Sequence, residues 1–138
     1  MNDGVNYRDD LPEAAAYFAL FETTGWNSDY RADAQEAHQA ISRSWAAVSA
    51  YSGERLVGFG RVISDGALYA VLFDVIVDPE YQNRGIGTEI TRRLVRACTE
   101  ARIREVQLFC AKGKAPFYER LGFSARDADA PGMRLKRR

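Results

Sequence analysis

A chain of 138 residues, 46% of them hydrophobic, has room for one compact core and needs no cross-links to hold it. Nineteen basic side chains cancel nineteen acidic ones, so no overall field would gather nucleic acid or an anionic membrane onto the surface. No apolar stretch is long enough to span a bilayer, and the opening MNDGVNYRDD is acidic where a secretion signal would be basic and then apolar.

These features lead us to expect a cytoplasmic protein forming a single domain over residues 1–138. Cys98 and Cys110 match neither a CxxC pair nor a zinc spacing. Both sit among apolar neighbours and are expected to be free, small buried hydrophobes. The lone histidine, His38, falls in a polar helical stretch and is expected to be solvated; with no partners at metal spacing, no metal is expected.

In chain order, a short extended piece from Val5 leads to a helix with Asp10 as its N-cap and Pro12 in its first turn. Leu11, Ala15, Phe18 and Phe21 follow at helical spacing. A second helix is expected over residues 32–42, with a thin apolar stripe of Ala34, Ala37 and Ile41. The period then changes. Residues 45–77 read as three strands joined by SGE and SDG, both rich in turn formers, which makes an antiparallel meander the economical arrangement. The third strand, residues 68–77, is apolar almost throughout and is expected to be buried on both faces.

Beyond it, Ile86, Ile90, Leu94, Val95 and Cys98 line one face of an amphipathic helix. REVQLFCA reads as a further strand, KAPFYERLGF as a short helix closed by Gly122, and GMRLKR as a last strand. With no internal repeat or long linker, the order of elements describes an α/β domain with a mixed sheet.

The stretch VDPEYQNRGIGTE carries the chemistry. A strand that runs through a glycine turn into a helix leaves several backbone N–H groups bare at the positive end of the helix dipole. Glycine at Gly85 and Gly87 lets an anion approach those amides without meeting a Cβ, and Gln82, Asn83, Arg84 and Thr88 can add side-chain donors. A pyrophosphate fits such a turn. No Lys follows Gly87, so the GxxxxGK[ST] loop is absent, and QNRGIGTE does not match GxGxxG either.

QNRGIG, Gln82 to Gly87, resembles the Q/R-x-x-G-x-G/A signature of the GCN5-related N-acetyltransferase (GNAT) family, whose loop cradles the pyrophosphate of acetyl-coenzyme A. LFDVIVDPEYQ before it, the amphipathic helix after it and KAPFYERLGF one strand later extend the likeness over residues 68–123. Within the family, FDVIVDPEYQNRGIG followed by LFCAKGKAPFYERLGF looks most like small bacterial and plastid members related to plant serotonin N-acetyltransferases.

The resemblance implies a mostly antiparallel sheet, splayed beside the strand before the loop and flanked by helices. The backbone of Val75, Ile76 and Val77 would pair with the pantetheine arm, and Gln82, Asn83, Arg84, Gly85, Ile86, Gly87 and Thr88 would hold the pyrophosphate. The implied reaction is direct attack of a primary amine on the thioester of acetyl-CoA, a cosubstrate, with no metal. Tyr118 matches the family's proton donor to the departing thiolate, and Phe117 would pack against the cofactor.

The base is open. Several family members carry a glutamate at the position of Val71, so this chain departs from that pattern. Asp74 is the remaining acid of the strand; it acts on the amine, or it pairs with Arg61 on the neighbouring strand, or a water chain serves instead. Trp26 and Tyr30, in the connection between the first helices, could bind an aryl or alkyl amine, although aromatics in a small domain are more often core.

Dimers are common in the family, which leaves a homodimer open. A non-catalytic acyl-CoA-binding or sensor module would keep the loop but need no acid at position 118. An interaction domain using the basic MRLKRR end is the remaining alternative.

Overall fold

Local chemistry at each turn sets where the elements begin and end in the computed structural model, which describes residues 4–137. The first three residues of the acidic opening and the final Arg138 lie outside the described residues. Strand β1 is Val5–Arg8, helix α1 Ala14–Glu22, α2 Asn27–Tyr30 and α3 Ala34–Ser42. Strands β2 (Ala46–Ser52), β3 (Arg55–Ser64) and β4 (Tyr69–Val77) follow, then α4 (Ile86–Glu100), β5 (Glu105–Leu108) and α5 (Ala115–Glu119). The chain divides into two compact units after Leu108.

The first unit holds one five-stranded sheet in the order β1-β2-β3-β4-β5. Strands β1 to β4 pair antiparallel in succession, and β5 runs parallel to β4. The expected meander is therefore present, with Gly53 at positive φ in the β2–β3 turn. In the β3–β4 turn, Asp65 Oδ1 accepts from the amides of Ala67, Leu68 and Tyr69 at 2.8, 2.8 and 3.1 Å. Those bonds hold the Asp65 carboxyl below its usual range.

Each face of the sheet is covered. On one, Tyr17, Leu20 and Phe21 of α1 and Ala37 and Ile41 of α3 pack with Phe59 of β3 and Ile76 of β4. On the other, α4 lies so close that a Cβ on Gly60 would stand 2.7 Å from Ile90 Cγ2 and 3.0 Å from Leu94 Cδ1. Gly58 is as tight, at 2.9 Å from Ile90 Cδ1. These two glycines let the helix rest on the backbone of β3, and any larger residue would overpack the site or lift α4 and the turn that begins it.

Several expectations need correction. Helix α1 starts at Ala14, because the Asp10 carboxylate is taken by a two-point pair with the Arg8 guanidinium, at 3.0 and 2.7 Å, and leaves Glu13 as an N-cap with no side-chain bond. Its buried stripe is Tyr17, Leu20 and Phe21; Leu11 and Ala15 are exposed. The expected second helix is present as α3 but starts two residues later, at Ala34, where a capping box of Asp33 and Glu36 opens it; the short α2 before it was not expected, and Asn27 brackets Ala32 with bonds of 2.9 and 2.8 Å. His38 is not simply solvated, since its ring Nε2 lies 3.0 Å from the Pro12 carbonyl.

Strand β4 is not buried on both faces. Ala70, Leu72 and Ile76 are buried, Leu68 and Tyr69 are exposed, and the rest of the strand is half-buried. Cys98 is buried as expected, which raises its thiol, but Cys110 is exposed.

In the C-terminal unit, α5 is followed by Gly122 at φ 97°, and the chain doubles back so that the Phe123 amide bonds to the Tyr118 carbonyl at 3.1 Å. GMRLKR forms no strand. Its Gly132 lies against the Phe109 ring, where a Cβ would stand 2.5 Å from Cε1.

Candidate functional site

The site begins with an irregularity in β4. Phe59 faces Ile76 and Arg61 faces Phe73, so Asp74 and Val75 together stand opposite Gly60 alone. This is a bulge, and Asp74 occupies it at φ 57°, a left-handed conformation that a short polar side chain tolerates. A bulge bends its strand. The partner β5 pairs with β4 only as far as Leu72, opposite Leu108. Over residues 73–77, β4 thus has β3 on one side and no paired strand among the described residues on the other. An extended ligand can occupy such an edge.

The strand leads into a tightly held turn. Asp78 Oδ1 accepts from the Glu80 amide at 2.9 Å and Oδ2 from Arg55 at 3.0 Å. The Tyr81 ring lies under the guanidinium of Arg55 at 5.2 Å and that of Arg84 at 4.9 Å. Arg84 also donates to the Glu80 carbonyl at 3.2 Å, and Gln82 to the Val77 carbonyl at 3.1 Å. Two of the side chains expected to reach an anion are therefore engaged in shaping the turn. Asn83 and Gly85 take positive φ, 65° and 83°, and a Cβ on Gly85 would meet nothing within 4 Å.

Helix α4 starts with no side-chain cap. Its first internal bond runs from the Glu89 amide to the Gly85 carbonyl at 3.0 Å, leaving the N–H groups of Ile86, Gly87 and Thr88 without a partner among the described residues. Ile86 is buried against the sheet and anchors this end. The donor set, a positive helix end bare of side chain, fits a pyrophosphate, and the open β4 edge fits the extended arm of coenzyme A.

Asp74 is paired as one of its expected readings had it: Arg61 Nε donates to Oδ2 at 2.7 Å, with the two side chains 12% and 20% exposed. Arg61 Nη1 also donates to the Ala40 carbonyl at 3.2 Å, tying the pair to α3. Trp26 is half-buried, edge-on to Phe21 at 6.3 Å, and packs on the α1–α3 core, while Tyr30 is 65% exposed. Sequence reasoning passed over Tyr17, whose spacing with Leu20 and Phe21 marks a core stripe; the one available signal was a hydroxyl at a core position.

Within the C-terminal unit the Tyr118 ring stands edge-on to Phe117 at 4.9 Å and to Phe123 at 6.0 Å. Burial raises its phenol, with a smaller contribution from Cys110, so it stays protonated through neutral pH.

A family model described as the acetyltransferase (GNAT) family matches residues 11–123. The chain belongs to this family.

Its solved relatives include a Staphylococcus aureus protein described as a "Probable Acetyltransferase", 25% identical, with a TM-score of 0.85 over 96% of this chain and 99% of that one. The GNAT chain is also similar to the chloroplastic GCN5-related N-acetyltransferase 2 of Arabidopsis thaliana, 40% identical over 80 residues that make up 58% of this chain and 31% of the relative. It is 31% identical to the histone acetyltransferase TAP1 of Glycine max over 126 residues, 83% of this chain and 53% of the relative. The chain thus spans between about a third and about half the length of these plant relatives. The chloroplastic relative agrees with the likeness to plastid members read from the sequence. Among the described residues no helix is long and apolar enough to cross a membrane.

Proposed function

We propose that this chain transfers the acetyl group of acetyl-CoA to a small primary amine by direct attack, as one N-acetyltransferase domain over residues 1–138. The observation that carries the reading is the pairing of two features among the described residues: bare amides at Ile86, Gly87 and Thr88, and a β4 edge without a strand partner over residues 73–77. Acetyl-CoA, when bound, supplies an activated acyl group as a thioester. The amides hold its pyrophosphate, joined by Asn83, Arg84 and Gln82 where these can turn outward, and the backbone of Val75, Ile76 and Val77 aligns the pantetheine arm.

The neutral amine nitrogen forms a bond to the thioester carbon as the carbon–sulfur bond breaks. Its surplus proton passes to water or to Asp74, and Tyr118 gives its proton to the departing sulfur and regains one from solvent. Asp74, held at 2.7 Å by Arg61, orients the amine. Phe117 packs beside the cofactor, and Trp26 and Tyr30 border the amine's side chain. On this reading the protein acts in the cytoplasm without metal, and a homodimer stays open.

One observation favours a second reading: Val71 stands where several family members carry a glutamate base, as a non-catalytic acyl-CoA-binding or sensor module would permit. Thiol release from acetyl-CoA separates the two, measured against arylalkylamines, polyamines and, because one relative is named a histone acetyltransferase, a lysine-bearing peptide. The transferase reading expects release that depends on one of these amines. Tight coenzyme A binding with no amine-dependent release supports the sensor.

A further inference from the structure

Tyr17 combines two properties that rarely coexist. Its ring is locked in the core, edge-on to Phe59 with centroids 4.9 Å apart and stacked on Phe21 at 5.9 Å, and the residue is 2% exposed. Yet its hydroxyl makes no hydrogen bond to a described residue, while no side-chain polar atom among those residues is both sealed from solvent and without a partner. The small exposed remainder of Tyr17 therefore includes the hydroxyl oxygen. A buried tyrosine ordinarily finds a protein partner; this one presents a vacant donor and acceptor.

Strand geometry identifies what shares its face of the sheet. Phe59, under the Tyr17 ring, and Arg61 are two residues apart on β3 and so share a face of the sheet, the one covered by α1 and α3. Arg61 holds Asp74 Oδ2 at 2.7 Å, whereas Asp74 Oδ1 accepts no hydrogen bond from a described residue. The charges agree with this placement: burial raises the Tyr17 phenol, and the Asp74 carboxylate raises it further against the opposing Arg61.

Resting on the acetyl-transfer reading above, we propose that the Tyr17 hydroxyl and Asp74 Oδ1 together receive the N–H groups of the acceptor, which makes Tyr17 an amine-binding residue that selects primary amines. The count of valences supports this. A neutral primary amine has two N–H groups and one lone pair. Two acceptors take the N–H groups, and the lone pair remains for the thioester carbon. An N-methyl amine has one N–H and leaves one buried acceptor unmet, which costs affinity. Arg61 keeps the carboxylate in place and offsets its charge.

Tyr17→Phe tests the proposal cleanly, because the ring keeps its packing and the lost hydroxyl has no partner among the described residues. The probes are 2-phenylethylamine, its N-methyl derivative, 1,4-diaminobutane and a lysine-bearing peptide. Each is titrated calorimetrically into the coenzyme A-loaded protein and assayed by thiol release. The melting temperature and coenzyme A affinity should match the parent. Kd and KM for the best primary amine should rise roughly tenfold, and the preference for primary over N-methyl amine should narrow.

Parental amine Kd and KM with the parental preference in the folded variant would overturn it. Binding and turnover keep the two readings apart. An amine that binds the parent, is loosened by the variant and releases no thiol upholds the Tyr17 site and removes the transferase. An amine turned over equally by both proteins does the reverse. A parent that binds none of the four removes both.

Discussion

Gly87→Glu should abolish coenzyme A binding, raising Kd by at least about 100-fold, since a carboxylate placed about 4 Å from a bound phosphate opposes it by several kcal/mol even with partial screening. The position separates binding from folding. Gly87 is the second residue of α4 and helical, so a side chain meets no conformational barrier there, unlike Gly85 with its φ of 83°. A negative charge in the first turn also favours the helix dipole, so the melting temperature should hold or rise. Calorimetric titration of the parent and variant with coenzyme A checks this. An unchanged Kd in a folded variant sinks the loop assignment.

Tyr118→Phe keeps the ring that packs edge-on to Phe117 and Phe123 and removes the hydroxyl proposed above as the proton donor. General-acid catalysis is worth roughly 10²–10⁴-fold, so kcat should fall by about that factor while acetyl-CoA affinity stays within about a few-fold of the parent. Stability should change by about 1 kcal/mol at most. Because burial raises the Tyr118 phenol, the donor is lost only above the usual tyrosine range, and the parent's kcat should fall off on the alkaline side there. The variant should lack that limb. Parental turnover across the pH range would show that the thiolate leaves unaided or that another group serves.

How much of this was legible in the sequence depended on whether a side chain's partner is local. Helix α4 was readable because Ile86, Ile90, Leu94 and Cys98 recur at helical spacing and all are buried. The turn before it was readable as a turn because glycine at a strand-to-helix junction marks a left-handed position, and Gly85 takes φ 83°. The start of α1 was not, because Asp10 can cap a helix or pair with Arg8 and only geometry decides.

The pairing of Asp74 with Arg61 could be named as one option but not chosen, since a two-residue bulge opposite Gly60 shifts the register in a way that no periodicity reveals. Strand β4 has the letters of a doubly buried strand, but its pairing with β5 stops at Leu72, and an unpaired edge has no sequence signature. Tyr17 was hidden for a related reason: its ring obeys the core pattern, and that its hydroxyl meets no partner among the described residues is visible only in the fold.

The central claim is that the bare amides opening α4 and the free edge of β4 hold acetyl-CoA. Titrating the ¹⁵N-labelled protein with acetyl-CoA while following its backbone amide resonances tests this most directly. The account predicts that Gly85, Ile86, Gly87 and Thr88 shift most, together with residues 73–77 of β4. Saturable binding that leaves those amides unmoved, or no binding at all, would contradict it.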